Sequence, residues 1–365
     1  MRLVERYVAR LTGGLFVLLA VGLITLFLVI DFGDWLRVYA GRPLADIALL
    51  YWYRSHLAMV QFAPAALVLA AGLAVGTVRR RGEWTALRAV GASSAVVVRP
   101  IMVVAIAAAL GLVVFEEFVV SESGPKSDRL MLERFERWGD FGVVYSPRRW
   151  FRVGPSLLNV RGEANPERLE DVRLFSMGDR SELVRWIEAR RLTFVREGHW
   201  QADEATELFF DGPQARAGRN GSFELELPLR PELTQLAVGR PEWLPLTVLY
   251  RQVAVMDALQ LPTEATRFAI HQRWASPAAA VLAALIICLL GLRGQKGASV
   301  PRTLIEGAAL YGGLFVLGMI SRSLAINGRL APPVAAWLAP LVLVPVVWWL
   351  TRPPRSTALT SVAAA

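Results

Sequence analysis

Residues 11–30 read LTGGLFVLLAVGLITLFLVI, an uncharged run between Arg10 and Asp31. A helix needs about 20 mostly apolar residues to cross the hydrocarbon core of a bilayer, and this run has that length. Two similar runs follow it, and three more come after a long polar stretch. The sequence therefore predicts six membrane-spanning helices, three on each side of an insert, at residues 11–30, 57–78, 95–116, 274–292, 303–321 and 330–351.

The composition agrees with a membrane protein. The chain has 365 residues, of which 54% are hydrophobic, and its mean hydropathy is +0.41. These values exclude a wholly soluble chain, a disordered chain and a small disulfide-stapled domain. Cys288 is the only cysteine, so neither an internal disulfide nor a cysteine zinc cluster can form. The net charge of +9 suits anionic lipid headgroups.

The distribution of Lys and Arg over the short loops predicts the orientation, because cytoplasmic loops carry the excess of these residues. Five arginines fall on one side, namely Arg37, Arg42, Arg54, Arg322 and Arg329. Thirteen basic residues fall on the other side, namely Arg2, Arg6, Arg10, Arg79, Arg80, Arg81, Arg88, Arg99, Arg293, Lys296, Arg302, Arg352 and Arg355. We therefore expect an inner-membrane protein with both termini in the cytoplasm and a periplasmic insert.

The insert has the pattern of a β domain. Residues 223–227, FELEL, alternate apolar with charged side chains, as a half-buried strand does. Further strand candidates, separated by turn-forming residues, lie at 142–144, 150–153, 157–160, 191–195 and 207–210. Many short strands with regular turns favour a sandwich or jelly roll. The predicted fold is a polytopic α-helical membrane protein with an inserted all-β, jellyroll-like domain, divided into residues 1–120, 121–272 and 273–365.

Two interpretations remain for the apolar strand residues of the insert. Alternation directs one set of side chains to one face of the sheet. That set could line an open trough for acyl chains, or it could form the sealed core that a small β domain needs, which is the interpretation we favour for most of its members. The residues are Phe194, Phe209, Phe223, Leu225 and Leu227.

The sequence carries no recognisable catalytic motif. Residues 291–297, GLRGQKG, are glycine-rich but lack the spacing and the hydroxyl residue of a phosphate-binding loop. His56, His199 and His271 are far apart in the sequence, and none has a ligand partner at metal spacing. There is no nucleophile elbow. We expect no catalytic site, no metal and no cofactor in this chain, so energy for any transport must come from a partner.

The loop between the second and third runs contains a short helical segment. Residues 83–90 are helix-forming, and Gly91 is placed as a helix stop. Trp84, Leu87 and Val90 recur at helical spacing and form an apolar stripe. The segment is either an interfacial helix that positions two spans or a docking helix for a cytoplasmic ATPase.

Here the sequence resembles a known family. Residues 83–93, EWTALRAVGAS, are similar to the coupling-helix signature of the LptF/LptG (YjgP/YjgQ) lipopolysaccharide-export permeases. Four further segments resemble motifs of that family in the same order, and the resemblance extends over essentially the whole chain. They are ERYVAR (5–10), FEEFV (115–119), HQRWASP (271–277) and PPVAAWLAP (332–340). Asp31 and Asp34 make the first span look more like LptG than LptF.

The resemblance implies a fold and a task. Members have six transmembrane helices and a periplasmic β-jellyroll, and they pair as an LptF–LptG heterodimer on two copies of the LptB ATPase, which binds ATP and Mg. The complex extracts lipopolysaccharide from the inner membrane of Gram-negative bacteria and passes it to the LptC/LptA bridge for outer-membrane biogenesis. The residues implied in ATPase coupling are Glu83, Trp84, Leu87, Arg88 and Gly91. A permease for another lipid or lipoprotein and a non-transporting envelope sensor are the alternatives.

Charged residues at the outer ends of the spans are candidates for contact with the lipid headgroup, because such charges are costly unless they face a cavity or a partner. The family associates basic residues at the outer end of span one with the lipid, and Arg37 matches such a position, whereas Asp31 and Val38 stand where other members can have lysine. Each arginine could instead be a headgroup-level anchor. We expect Glu116 and Glu117 to pair with Arg273 or with a first-span arginine. The lipid-site candidates are Arg37, Asp34, Arg42, Arg54, Arg273 and Glu117.

Glycines recur in spans one and five, which form the lateral gate between the two permeases in the family. Small residues permit close helix approach in lipid. They therefore indicate either ordinary packing within the bundle or an interface that opens. The residues are Gly14, Gly22, Gly312, Gly313 and Gly318.

Overall fold

The computed structural model describes residues 2–135, 148–153, 155–165, 167–178, 182–211, 214–229, 231, 240–258, 261–293 and 300–352. The strand candidate at 142–144, Lys296 and Arg355 lie outside the described residues. The chain forms two compact units. The membrane unit comprises residues 1–130, 241–250 and 262–365, and the β unit comprises residues 131–240 and 251–261.

Among the residues that the structure describes, six helices are long and apolar enough to cross a bilayer, which confirms the predicted number and their arrangement of three before and three after the insert. Two reverse turns at left-handed glycines, Gly41 and Gly328, join the first to the second span and the fifth to the sixth. In order, the spans are Leu3–Tyr39, Leu44–Arg80, Ala95–Met131, Glu264–Arg293, Pro301–Ile326 and Pro332–Thr351.

The described residues form nine α-helices, and a π-helical turn lies inside the third span. The turn, Glu116–Val120, continues from the helix Ala95–Phe115 directly into the helix Ser121–Phe135, so the third span does not end there. π-Helical turns of this kind are frequent at functional sites. The helices are α1 Arg2–Tyr39, α2 Leu44–Arg80, α3 Glu83–Ala89, α4 Ala95–Phe115, α5 Ser121–Phe135, α6 Leu246–Ala258, α7 Glu264–Arg293, α8 Val300–Ile326 and α9 Pro332–Thr351.

Small side chains let α2 and α7 pack at the centre of the membrane unit. Gly72 of α2 lies against Thr303 and Ile287, and Gly291 of α7 lies against Val75, so that an added Cβ at Gly291 would come within 2.7 Å of a Val75 methyl carbon. The most apolar segments of α2 and α7 are 67% and 61% buried, whereas those of α1 and α8 are 6% and 11% buried. α1 and α8 therefore leave most of their apolar surface uncovered by this chain.

In the described part of the β unit, six antiparallel strands form one sheet in which sequence neighbours are also sheet neighbours. This confirms the inserted all-β domain. Trp200 is fully buried and donates an indole N–H to the Leu229 carbonyl at 3.1 Å. The strands are β1 Arg148–Val153, β2 Ser156–Asn165, β3 Arg168–Met177, β4 Leu183–Arg196, β5 His199–Asp211 and β6 Gln214–Glu226.

A buried carboxylate forms hydrogen bonds that connect three of these strands. Glu207 of β5 is 1% exposed; it accepts hydrogen bonds from Arg185 Nε at 2.6 Å and from Arg219 Nε at 3.0 Å. Burial by itself would raise the pKa of Glu207, but the hydrogen bonds from Arg219 and Arg185 outweigh it and lower the pKa below its ordinary value. Glu207 is therefore charged at neutral pH and links β4, β5 and β6.

Replacing Glu207 by glutamine is expected to loosen this end of the sheet. Removing a buried charge leaves two arginines without their partner, and because both are partly exposed we expect a loss of about 1–2 kcal/mol. Amide hydrogen exchange of β4–β6 in the intact protein should accelerate roughly tenfold at neutral pH.

The pH dependence of this stability difference follows from the direction in which folding shifts the Glu207 pKa. Folding lowers the Glu207 pKa. The charged carboxylate therefore contributes its full stabilisation above about pH 4.3, the ordinary pKa of a glutamate, and this stabilisation is lost as the pH falls through the pKa in the folded state. The difference between wild type and Glu207→Gln should therefore vanish in acid. Glu188→Gln, which removes a half-exposed pair with Arg173, is the matched control and should change exchange little. Equal effects of the two variants would contradict the assignment.

Candidate functional site

The short helix α3 lies between two glycines in the left-handed conformation. Gly82 precedes it at φ 74° and Gly91 follows it at φ 76°. A side chain at either position would be strained, so this pair defines where the helix begins and ends. The predicted helix and its stop at Gly91 are thus present, over Glu83–Ala89.

The apolar stripe of this helix divides between two environments. Trp84 and Leu87 pack against the core formed by α1, α2, α4 and α7, whereas Val90 is 80% exposed. Arg88 is also exposed. The face that remains available to a partner is therefore the one carrying Arg88 and Val90, while Trp84 and Leu87 fasten α3 to its own bundle.

Glu83 is connected to the first helix. The Tyr7 hydroxyl donates to Glu83 Oε1 at 3.2 Å, and Arg81 Nη1 donates to the Tyr7 hydroxyl oxygen at 2.9 Å. The Glu83 side chain is 34% exposed, so one part of it faces the chain and another faces solvent. Tyr7 and Glu83 belong to separate sequence motifs, so their contact could not be predicted from the sequence.

Near the end of α1 and the start of α2, Arg54 contacts several side chains of its own chain. It pairs with Asp31 and contacts the Tyr39 hydroxyl, and its guanidinium lies 5.6 Å from the Trp35 ring centroid. The Tyr51 hydroxyl donates to Asp31 at 2.8 Å. The Arg54 side chain is 11% exposed. Because Arg54 lies on α2 and its partners Asp31 and Tyr39 lie on α1, its contacts connect the two helices.

The other first-span candidates are placed differently. Arg37 and Asp34 are exposed near the end of α1, and Arg42 is half-buried in the following turn. For Arg37 the described residues offer no ion pair, so its charge is directed outward. Arg37 therefore differs from Arg54, which pairs with Asp31.

Arg273 is the centre of a buried ionic cluster. Its side chain is 1% exposed, and its Nε and Nη1 atoms lie 3.2 Å and 3.4 Å from carboxylate oxygens of Glu116 and Glu117. Its Nη2 atom donates to the Glu242 and Leu244 carbonyls at 3.1 Å and 2.9 Å. Of the two expected partners for the glutamates, the structure shows Arg273, and each guanidinium nitrogen lies within 3.4 Å of an oxygen atom.

This cluster holds residues 241–246 in place. We call these residues the return segment, because they follow the β strands in the chain and precede the fourth span. Both Glu117 carboxylate oxygens accept the backbone N–H of Leu246, at the start of α6, at 3.0 Å; negative charge is favourable at a helix N-terminus. Trp243 packs against Gly124 so closely that an added Cβ would lie 2.7 Å from its ring. Glu242 forms an ion pair with Arg322 of α8.

A cavity of about 350 Å³ lies beside this cluster. Its polar end carries Glu116, Arg273, Glu242 and Arg322, and the rest of its lining is mostly apolar. Its walls come from α2, α4, α7, α8 and α9, and the residues include Val60, Leu112, Phe268, Leu314, Phe315 and Met319.

The five glycines predicted as gate residues have open space beside their Cα atoms, and Gly318 lines the cavity. An added Cβ at any of them would meet nothing within 4 Å, which applies to Gly14, Gly22, Gly312, Gly313 and Gly318. Close packing within the bundle instead involves Gly72, Gly291 and Gly307. The first set is therefore not required for packing inside this chain.

Valine substitutions should separate these two classes of glycine. At Gly72 an added Cβ would lie 3.0 Å from Ile287 and 3.3 Å from the Thr303 carbonyl oxygen, so Gly72→Val should cost about 1–3 kcal/mol by overpacking and lower the melting temperature by roughly 5 °C. Gly312→Val, the matched control, should leave the melting temperature unchanged. Thermal unfolding of the purified chain in detergent measures both, and a similar decrease for both variants would contradict the assignment.

The five apolar strand residues predicted to line a trough or to form the core of the β unit lie in three different environments. Leu225 and Leu227 are fully buried in its core, Phe194 and Phe223 pack against that core, and Phe209 is 43% exposed. Phe194 contacts the buried Trp200 ring edge to face, with 5.3 Å between ring centroids. Four of the five residues therefore take part in core packing, and Phe209 lies beside Arg185 at the end of the sheet.

The fold and these sites define a class: a polytopic helical membrane protein with an inserted β domain, a short helix between spans two and three, and a buried ionic cluster at the far end of the spans. Residues 6–353 match the family described as lipopolysaccharide export system permease LptF/LptG. The chain belongs to this permease family, whose members are transport subunits rather than enzymes, and the match does not distinguish an LptG-like from an LptF-like member. The search of curated proteins found no match.

Proposed function

We propose that this chain is one permease subunit of an ATP-driven transporter that extracts lipopolysaccharide from the inner membrane and passes it to a periplasmic bridge. Membership of the LptF/LptG family over residues 6–353 carries this proposal. The termini and α3 lie in the cytoplasm, and the β unit lies in the periplasm. Its partners are an LptB-like ATPase dimer that binds ATP and Mg, a second LptF/LptG-type permease and an LptC/LptA-like bridge.

The exposed face of α3 is the proposed site for the ATPase. Trp84 and Leu87 hold the helix on the bundle, and this leaves Arg88, Val90 and part of Glu83 for the partner. A docking helix that is also packed against its own spans can transmit a displacement to them. The contact between Tyr7 and Glu83 extends this connection to α1.

The uncovered surfaces of α1 and α8 are the proposed interface with the second permease. These two spans are the least buried in the chain, and their glycines with open space beside the Cα atoms allow a close approach of partner helices in lipid. Exposed Arg37 is the proposed first-span contact for the anionic lipid headgroup. Gly312→Val should weaken co-purification of the second permease although it leaves the chain itself stable.

Reconstitution tests the function directly. Proteoliposomes that contain lipopolysaccharide, this chain, its genomic partner permease and the cognate ATPase should release lipopolysaccharide to an added bridge protein only with ATP. Omission of this chain should abolish release. Lipid-independent ATP hydrolysis without any release from a fully assembled complex would contradict the proposal and favour a sensor or a transporter of another lipid.

A further inference from the structure

The ends of α7 and α9 are joined by an arginine contact. Arg293, the last residue of α7, donates from Nη2 to the backbone carbonyl of Arg352, the residue that follows α9, at 2.7 Å. The guanidinium carbon of Arg352 lies 3.3 Å from the ring centroid of Trp348, which is a cation–π contact. Two arginines from different helices therefore have defined places at this end of the spans.

These two arginines keep most of their hydrogen-bonding capacity for a partner outside the chain. A guanidinium has five N–H donors, and both residues are exposed. Within the described ranges, the Arg352 carbonyl occupies one donor group of Arg293, and neither arginine pairs with a carboxylate. The planar guanidinium matches the geometry of a phosphate group, so the pair is suited to bind one.

The last third of the chain contains almost no negative charge to balance these arginines. Residues 265–365 include one acidic residue, Glu306, and it pairs with Arg302 at 2.8 Å. The basic residues in or next to the end of α7, the start of α8 and the end of α9 in the sequence are Arg293, Lys296, Arg302, Arg352 and Arg355. The counter-charge must therefore come from outside this part of the chain.

An uncovered apolar stripe leads away from the arginine pair along α9. Leu341, Val344 and Trp348 recur at helical spacing on one face and are 56%, 52% and 60% exposed. The opposite face of α9 packs on α7 through Leu343 and Leu350. With 20 residues, α9 is about 30 Å long and just crosses the hydrocarbon core, so Trp348 lies at the interface and the stripe lies within the core.

The stripe and the arginines together indicate a lipid as the occupant. The second permease is assigned to α1 and α8, which leaves this face of α9 to the bilayer. A cytoplasmic protein could contact the arginines, but it would not cover Leu341 and Val344 within the hydrocarbon core. Tryptophan at a helix end is typical of the lipid headgroup region, and basic sites between cytoplasmic helix ends bind anionic headgroups.

We propose that Arg293 and Arg352 bind the phosphodiester headgroup of an anionic glycerophospholipid of the cytoplasmic leaflet, with one acyl chain along the Leu341–Val344–Trp348 stripe. The bound lipid connects the ends of α7 and α9. The inference takes only the membrane orientation from the proposed function and does not depend on the transport reaction.

Native mass spectrometry of the full chain in detergent tests this binding. The probes are dioleoyl phosphatidylglycerol, which is anionic, and dioleoyl phosphatidylcholine, which has the same acyl chains and a zwitterionic headgroup. Wild type should prefer phosphatidylglycerol about tenfold, and Arg293→Gln with Arg352→Gln should lower the affinity for it by roughly tenfold without changing that for phosphatidylcholine. Equal retention of phosphatidylglycerol by wild type and variant would overturn the proposal.

Arg10→Gln with Arg99→Gln is the matched control. It also removes two exposed arginines from this end of the spans, but from α1 and α4, and it should keep the wild-type affinity for phosphatidylglycerol. An equal loss in this variant would show that net charge alone governs binding, and the assigned site would then be wrong. Inorganic phosphate in tenfold excess should not displace the lipid, and displacement would overturn the role of the acyl chain.

Thermal unfolding in detergent separates loss of binding from loss of fold. Because both arginines are exposed, Arg293→Gln with Arg352→Gln should unfold at the wild-type temperature without added lipid. Phosphatidylglycerol should raise the melting temperature of wild type and leave that of the variant unchanged. If the variant still binds phosphatidylglycerol but no longer co-purifies with the cognate ATPase, the arginines form a protein contact and the proposal is overturned. Lipid binding by a complex that releases no lipopolysaccharide would contradict the proposed function alone.

Discussion

Lipid release is expected to be almost lost when Glu83 is replaced by alanine, although the transporter still assembles. A carboxylate that accepts charge-assisted hydrogen bonds contributes about 1.5–3 kcal/mol, which corresponds to roughly 10–100-fold in a rate. Trp84 and Leu87 still hold α3 on the bundle, so folding and recruitment of the ATPase should persist. ATP-dependent release in proteoliposomes, normalised to the bound ATPase, measures the effect.

Tyr7→Phe is the matched variant for Glu83. It removes the hydroxyl that donates to Glu83 but leaves the carboxylate available to a partner. If Glu83 acts mainly on the ATPase, Tyr7→Phe should retain most of the release. If both variants lose release equally, Glu83 acts through α1 instead, and full release by Glu83→Ala would refute the coupling role altogether.

Loss of the Arg273 guanidinium is expected to have the largest effect on stability. Arg273→Met keeps the bulk of the side chain but leaves Glu116, Glu117 and two carbonyls without their donor. Removing one partner of a buried ion pair typically costs about 3–5 kcal/mol, which lowers the melting temperature of a chain of this size by roughly 5–15 °C. Thermal unfolding in detergent measures this decrease.

Arg54→Met is the comparison for Arg273. Arg54 is also a buried arginine paired with an acid, Asp31, but the Tyr51 hydroxyl continues to donate to that acid when Arg54 is lost. Its decrease in melting temperature should therefore be smaller. A larger effect at Arg54 than at Arg273 would show that the return segment is not held as we describe.

Several features of the site could be predicted from local sequence, and others could not. The residues at which α3 begins and ends follow from Gly82 and Gly91, because a left-handed backbone conformation favours glycine and depends only on neighbouring residues. The pairing of Arg273 with Glu117 joins residues 156 positions apart, and the sequence left it as one of two alternatives. Arg37 and Arg54 are both lipid-site candidates in the sequence, yet Arg37 is exposed and the Arg54 side chain is 11% exposed and paired with Asp31.

The sequence by itself determined the six spans, the inserted β domain and the short helix between spans two and three, because run length, alternation and turn residues act over a few neighbouring positions. Only the tertiary structure decided which glycines pack inside the bundle, which strand residues are buried and which charges meet at the return segment. These depend on helices and strands that are distant in the chain coming into contact. A single buried guanidinium can satisfy partners from two such segments only once the fold has brought them together.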